Sequence, residues 1–242
     1  MYNDEILIQG LEELGLAPDE EKLTLLHRYY ERMIATNEVM NLTAITEYED
    51  VCVKHFLDSL CLVKAIPSDQ LEAGMTIIDI GTGAGFPGIP LKIFFPNLKI
   101  TLMDALAKRV RFLTEVTGEL GLANVGCVHG RAEELSRTDG YREKYDLCVS
   151  RAVTRMASLA ELCIPFAKKG GALVAYKSAE SSEEIAEAGK AISTLGGGAP
   201  EIVSFRVPQS DLGRSLVVVR KEKLTDRKYP RGGGKPMKAP II

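Results

Sequence analysis

The densest chemical signal in the chain is Ile77-Ile78-Asp79-Ile80-Gly81-Thr82-Gly83-Ala84-Gly85-Phe86-Pro87-Gly88. An apolar run delivers the backbone into closely spaced glycines, and a helical stretch follows. Glycine permits a tight turn and a close ligand approach. The free N–H groups of the following helix start can meet polar ligand atoms. The stretch Gly83-Ala84-Gly85-Phe86-Pro87-Gly88 satisfies the dinucleotide pattern literally. Asp79, however, puts a carboxylate at the strand end, where a pyrophosphate would be repelled. S-adenosylmethionine carries a sulfonium cation and no phosphate, and it suits Asp79 with Gly81 and Gly83 better.

A second acid, Asp104, closes the run Leu102-Met103-Asp104. An acid there accepts hydrogen bonds from ribose hydroxyls, which fits NAD and S-adenosylmethionine alike. Its bland alternative is a cap for the helix beginning near Lys108. Lys108, Arg109 and Arg111 read as a solvated helix face. Next comes Gly130-Arg131-Ala132-Glu133, where backbone near Ala132 and Glu133 would meet an adenine edge. Arg151 stands just past a further apolar run, where cofactor and substrate should meet. Lys177 follows another such run, on the same side.

These residues need elements to position them. Residues 1–70 read as a helical extension, with Pro18-Asp19 opening a helix and Glu20-Glu21 in its first turn. Another helix is expected from Glu47 to Ala65, carrying His55 and Asp58 on one face. From Met75 the texture changes to short β-rich runs: Thr76–Ile80, Lys99–Met103, Gly126–His129, Tyr145–Ser150, Ala172–Tyr176, Glu201–Val207 and Ser215–Val219. Helical stretches separate the first five, which implies crossovers and a mainly parallel sheet. The last two have room only for a hairpin. Residues 71–222 thus read as an α/β domain and residues 223–242 as a basic tail.

Composition narrows the classes. The chain has 242 residues, 45% hydrophobic and 26% charged, as a globular protein should. No run approaches the length of a membrane span, and the acidic start reads as no secretory signal. The five cysteines and three histidines form no zinc pattern, so no metal is expected, and the thiols read as reduced and buried in the cytoplasm. Net charge is −3, but from Arg214 onward nine Lys/Arg face two acids, giving +7 and leaving −10 on the rest. A basic tail on an acidic body is a polarity that a partner or function has to explain.

Seven segments in order resemble one family, the small-subunit ribosomal RNA guanine-N7 methyltransferases, also called glucose-inhibited division protein B. They are Asn41–Ile45, His55–Leu60, Asp79–Pro90, Asp104–Arg109, Gly130–Glu133, Ser150–Val153 and Tyr229–Arg231. The resemblance implies a class I S-adenosylmethionine methyltransferase: a Rossmann-like, seven-stranded, mostly parallel sheet with the last strand antiparallel. It implies that Gly81, Phe86, Ala132, Glu133 and Arg151 line the cofactor pocket and that Asp104 holds the ribose. It implies an enzyme acting on 16S ribosomal RNA or the 30S particle; with the reduced thiols the compartment reads as cytoplasmic, and a monomer is the default. The family's tail usually carries more lysine where Gly232-Gly233-Gly234 stands here.

Guanine N7 has a lone pair and no proton to lose, so methylating it needs no general base. Arg151 is therefore the candidate for positioning, and His55 and Asp58 are not a catalytic dyad. His55 would contribute to substrate binding, or else be an ordinary buried polar residue. Lys177, Arg227 and Arg231 would meet RNA phosphates, with a solvated tail as the alternative. The rivals are a methyltransferase for another RNA, a protein or a small molecule, an NAD-dependent oxidoreductase, and a non-enzymatic RNA-binding protein.

Overall fold

Alternating apolar runs and helical stretches build a single sheet. The computed structural model describes residues 2–242, and Met1, where the expected extension 1–70 begins, lies outside the described residues. The strands are β1 (Thr76–Ile80), β2 (Lys99–Asp104), β3 (Val125–His129), β4 (Tyr145–Arg151), β5 (Ala167–Ser178), β6 (Glu201–Arg206) and β7 (Gly213–Arg220). Their spatial order is β3-β2-β1-β4-β5-β7-β6. The first five run parallel, and β7 is antiparallel between β5 and β6. The order reverses between β1 and β4, and ligands bind beyond the carboxyl ends of strands at such a switch point.

β5 begins at Ala167, five residues before the expected Ala172. Lys168-Lys169-Gly170-Gly171 reads as a turn. A register irregularity opposite Tyr145 and Leu147 carries the strand through it. At Gly171 a side chain would come within 2.6 Å of the Asp146 carbonyl, so only glycine allows this close strand approach.

Helices α1 (Glu5–Glu13), α2 (Glu20–Met40), α3 (Tyr48–Val51), α4 (Asp58–Leu60) and α5 (Ser68–Glu72) precede the sheet. Asp19 caps α2 by accepting from the Lys22 amide at 2.8 Å, a contact worth about 1 kcal/mol. The expected helix Glu47–Ala65 is not uniform. A π-helical stretch, Cys52–Leu57, joins α3 to α4, and a 3-10 turn, Cys61–Lys64, ends it. Apolar spacing alone does not separate these helix types. Within and after the sheet come α6 (Gly88–Phe94), α7 (Ala107–Glu119), α8 (Ala132–Leu135), α9 (Met156–Cys163), α10 (Ser182–Glu187), α11 (Gly189–Thr194) and α12 (Lys235–Lys238).

Because side chains alternate along a strand, the sheet separates two apolar clusters. Ile77 and Leu147 join Leu7, Leu11, Tyr29 and Phe56 on one face. Ile78 and Cys148 join Met156, Leu159 and Ile192 on the other. The N-terminal helices thus share a core with the sheet. Four of the five cysteines are buried, and Cys127 is half-buried. No helix among the described residues is long and apolar enough to cross a membrane.

Candidate active site

The glycine turn is braced from beneath. Asp79, at the end of β1, is fully buried. Its Oδ2 accepts from the Thr82 hydroxyl at 2.7 Å and the Gly88 amide at 2.9 Å. Its Oδ1 is buried without a hydrogen-bond partner. Burial pushes the Asp79 carboxyl up to about 7, against those two bonds. Asp79 therefore holds the loop rather than lining a cavity. From above, Gly81 and Thr82 donate to the Met103 carbonyl, and Tyr29 donates to the Ala84 carbonyl at 2.7 Å. Gly81 (φ +70°) has no room for a side chain, since a Cβ would meet Val153 Cγ2 at 2.6 Å. Gly83 (φ +63°) faces open space.

Beside this turn lies a cavity of about 330 Å³. Gly81, Asp104, Ala132, Glu133 and Val153 border it, so four of the expected cofactor residues come together there. Asp104 ends β2. Its Oδ1 accepts from the Leu106 amide at 2.8 Å; its Oδ2 accepts from the Gly83 amide at 3.1 Å and from Arg109 at 3.3 Å. A carboxylate has about four acceptor sites, so one is left for a ligand hydroxyl. Arg109 is thus paired with Asp104, contrary to the solvated face expected of it. Lys108, which donates to the Met40 carbonyl, and Arg111 are exposed, as expected of that face.

A second cavity, about 480 Å³, is bordered by His55, Asp58, Arg151, Val153, Tyr176, Lys177 and Arg214, among others. Arg151, at the end of β4, is held on three sides. Its Nη1 donates to Asp58 Oδ2 at 2.7 Å and to the Lys54 carbonyl at 3.0 Å. Its Nη2 lies 3.2 Å from His55 Nδ1. Arg214 Nε reaches the other Asp58 oxygen at 3.3 Å. The π-helical stretch presents both Lys54 and His55 to this cluster, and such irregular turns gather at functional sites. Phe86 lies behind it, with its ring 4.4 Å from the His55 ring and 5.0 Å from the Arg151 guanidinium. Burial, then Arg151, lowers His55 to about 3, so its ring is neutral at physiological pH.

Val153 borders both cavities. Ala152 before it has φ +56°, uncommon for a residue with a side chain. That turn sets Arg151 and Val153 at the junction.

Two expected RNA contacts are already paired within the protein, Lys177 at the edge of the larger cavity itself. Lys177 donates to the Thr154 carbonyl at 2.6 Å and pairs with Glu184 at 2.9 Å. Arg231 is bound to Glu161, a fully buried acid on α9, with Nη2–Oε2 at 2.7 Å. Arg231 ties the tail to the body, while Arg227, Lys228, Lys235 and Lys238 are exposed. Asp58 as the anchor, Arg214 and Glu161 were not foreseen in these roles. The run His55-Phe56-Leu57-Asp58 held the signal for the first, but its partners lie 93 and 156 positions away.

The residues around the first cavity fit S-adenosylmethionine. An acid with a spare acceptor site, Asp104, stands ready for a hydroxyl beside the glycine turn. The fold and this site define a class I S-adenosylmethionine-dependent methyltransferase. A solved fibrillarin from Aeropyrum pernix, in complex with natively bound S-adenosyl-L-methionine, shares the architecture (TM-score 0.50, 17% identity, 66% of this chain and 72% of that one). The chain belongs to the rRNA small subunit methyltransferase G family, whose model matches residues 22–212. It is 52% identical to the ribosomal RNA small subunit methyltransferase G of Lachnoclostridium phytofermentans over 242 residues, covering 100% of this chain and 99% of that protein. It is 49% identical to the one from Alkaliphilus metalliredigens, covering 100% of each.

Proposed function

We propose that this enzyme methylates N7 of a guanine in 16S ribosomal RNA, as a cytoplasmic monomer. The observation that carries this is the meeting of the two cavities at Val153, with a fixed Arg151 on the substrate side. Bound S-adenosylmethionine supplies a methyl group on a positively charged sulfur. Gly81, Asp104, Ala132 and Glu133 hold it in the smaller cavity. The larger cavity takes the acceptor base.

With S-adenosylmethionine bound, the guanine N7 lone pair would take the methyl group as the sulfur–methyl bond breaks, leaving neutral S-adenosylhomocysteine, and no proton need be removed. The neutral His55, tied to Thr43 Oγ1 at 2.9 Å, is not needed as a base. Its part is to stack on Phe86 and fix Arg151. Three of the five guanidinium N–H groups of Arg151 are spent on Asp58, Lys54 and His55, which leaves two. Those two suit the O6 acceptor next to N7 on guanine's edge. Rate comes from alignment of N7 with the methyl group, for which a rigid Arg151 is the device. Exposed cations such as Arg227 supply contact with phosphates.

The test is transfer of labelled methyl from S-adenosylmethionine to 16S RNA from cells lacking this protein, naked and within the 30S particle. Label mapped to one guanine, with cleavage characteristic of N7-methylguanine, is expected in one of the two forms. Cofactor binding without label in either form would overturn the acceptor and leave another RNA, a protein or a small molecule as the substrate.

A further inference from the structure

The strap 231–239 has no part in the chemistry above, yet it reaches the cofactor cavity. Gly234, Met237 and Lys238 border that cavity along with Gly81, Asp104 and Ala132. The strap's path is fixed at both ends by one side chain. The Arg231 backbone amide donates to Glu161 Oε1 at 2.7 Å, and its guanidinium reaches both Glu161 oxygens. The same guanidinium donates to the Ala239 carbonyl at 2.8 Å, closing a loop over 231–239. Upstream, Arg142 donates to the Thr225 and Tyr229 carbonyls, and Arg137 to the Lys228 and Pro230 carbonyls.

The loop turns through Gly233 (φ +69°) and Gly234 (φ +72°), two consecutive left-handed residues that favour glycine. This gives the glycine run a purpose that a lysine-rich segment would not serve. The turn delivers α12 against α9, with Pro236 buried and Met237 about half exposed at the cavity. Met237 shares this cavity with Val153, a second exposed apolar side chain.

We propose that residues 232–238 are the adenine-side wall of the cofactor site, and that Met237 closes on the base. A thioether is suited to this, because it is polarizable, flexible and favourable against aromatic rings. The inference rests on the methyltransferase assignment and extends it to a segment whose charge had pointed only to RNA.

Calorimetric titration with S-adenosylhomocysteine and with methylthioadenosine, which lacks the amino-acid end, tests it. Met237→Ala should raise both dissociation constants by the same factor, roughly two- to tenfold. Met237→Leu should restore most of the loss, and a chain ending after Arg231 should bind more weakly than Met237→Ala. The unliganded melting temperature of Met237→Ala should not move, because the side chain is half in water. Unchanged dissociation constants in both Met237→Ala and the shortened chain would overturn the proposal. Failure of the unaltered chain to bind either ligand would overturn the cofactor assignment and this inference with it.

Discussion

Replacing Asp58 by Asn separates positioning from mere stability. Asp58 is 3% exposed and satisfies Arg151 at 2.7 Å through one oxygen and Arg214 at 3.3 Å through the other. Asparagine keeps the volume but offers one oxygen and one NH2. Turned to satisfy Arg151, it sets its NH2 against the Arg214 Nε–H, donor against donor; turned the other way, it does the same to Arg151. Breaking a buried pair by removing one charge costs about 3–5 kcal/mol. The Arg214 side chain is 29% exposed and can turn to water, so the lower end applies. A loss of about 3 kcal/mol lowers Tm by about 6–12 °C in a chain of this size. The effect on rate is separate. A guanidinium displaced by about 1 Å costs about 100-fold, so kcat should fall by about that factor at saturating RNA. Asp58 does not border the cofactor cavity, so S-adenosylhomocysteine affinity should hold. Methyl-transfer kinetics with titration calorimetry and a thermal melt read all three quantities. Wild-type kcat with a lowered Tm would refute the positioning role. Weakened cofactor binding with unchanged kcat would move Arg151 from the acceptor to the cofactor.

Other outcomes follow from the same geometry. Gly81→Ala forces a Cβ to within 2.6 Å of Val153 at φ +70°; titration should show S-adenosylhomocysteine affinity down roughly tenfold or more. His55 is lowered to about 3 in the fold against 6.5 unfolded, so the unfolded chain binds the extra proton between those values. Its contribution is therefore full above pH 6.5 and lost on acidification; by pH 5 the loss is about 2 kcal/mol, and denaturant titrations should show a smaller acid loss in His55→Gln. The slope of log RNA affinity against log salt should fall by about one in Arg227→Ala. It should hold in Arg231→Ala, whose guanidinium is spent on Glu161, and an equal change in both would refute the distinction.

The strands of the sheet were legible because each is a short β-rich run between turn residues. β1 falls on its expected bounds for that reason. β5 does not, since Gly170-Gly171 looks like an ending and its continuation depends on the neighbouring strands. The residues that border the smaller cavity were legible as motifs because Gly81, Asp104 and Ala132-Glu133 each lie at or just past a strand end, and the sheet collects strand ends at one edge. Asp79 was read as a ligand neighbour, but its position beneath the loop follows from the reach of a short side chain to Thr82 and Gly88. Long-range pairings left no local mark. Counting charge made Arg231 and Lys177 look available, because Glu161 and Glu184 are invisible to a count. The π-helical widening at Cys52–Leu57 is hidden too, since its apolar pattern is that of any buried helix.

Val153 belongs to two compartments at once, with Gly81 against it on one side and the acceptor cavity on the other. A change of bulk there cannot be confined to one ligand. A smaller residue enlarges both chambers and removes the partition between them; a larger one presses on the glycine turn and narrows the acceptor side together. Selection acting on the acceptor through this position therefore acts on the methyl donor as well.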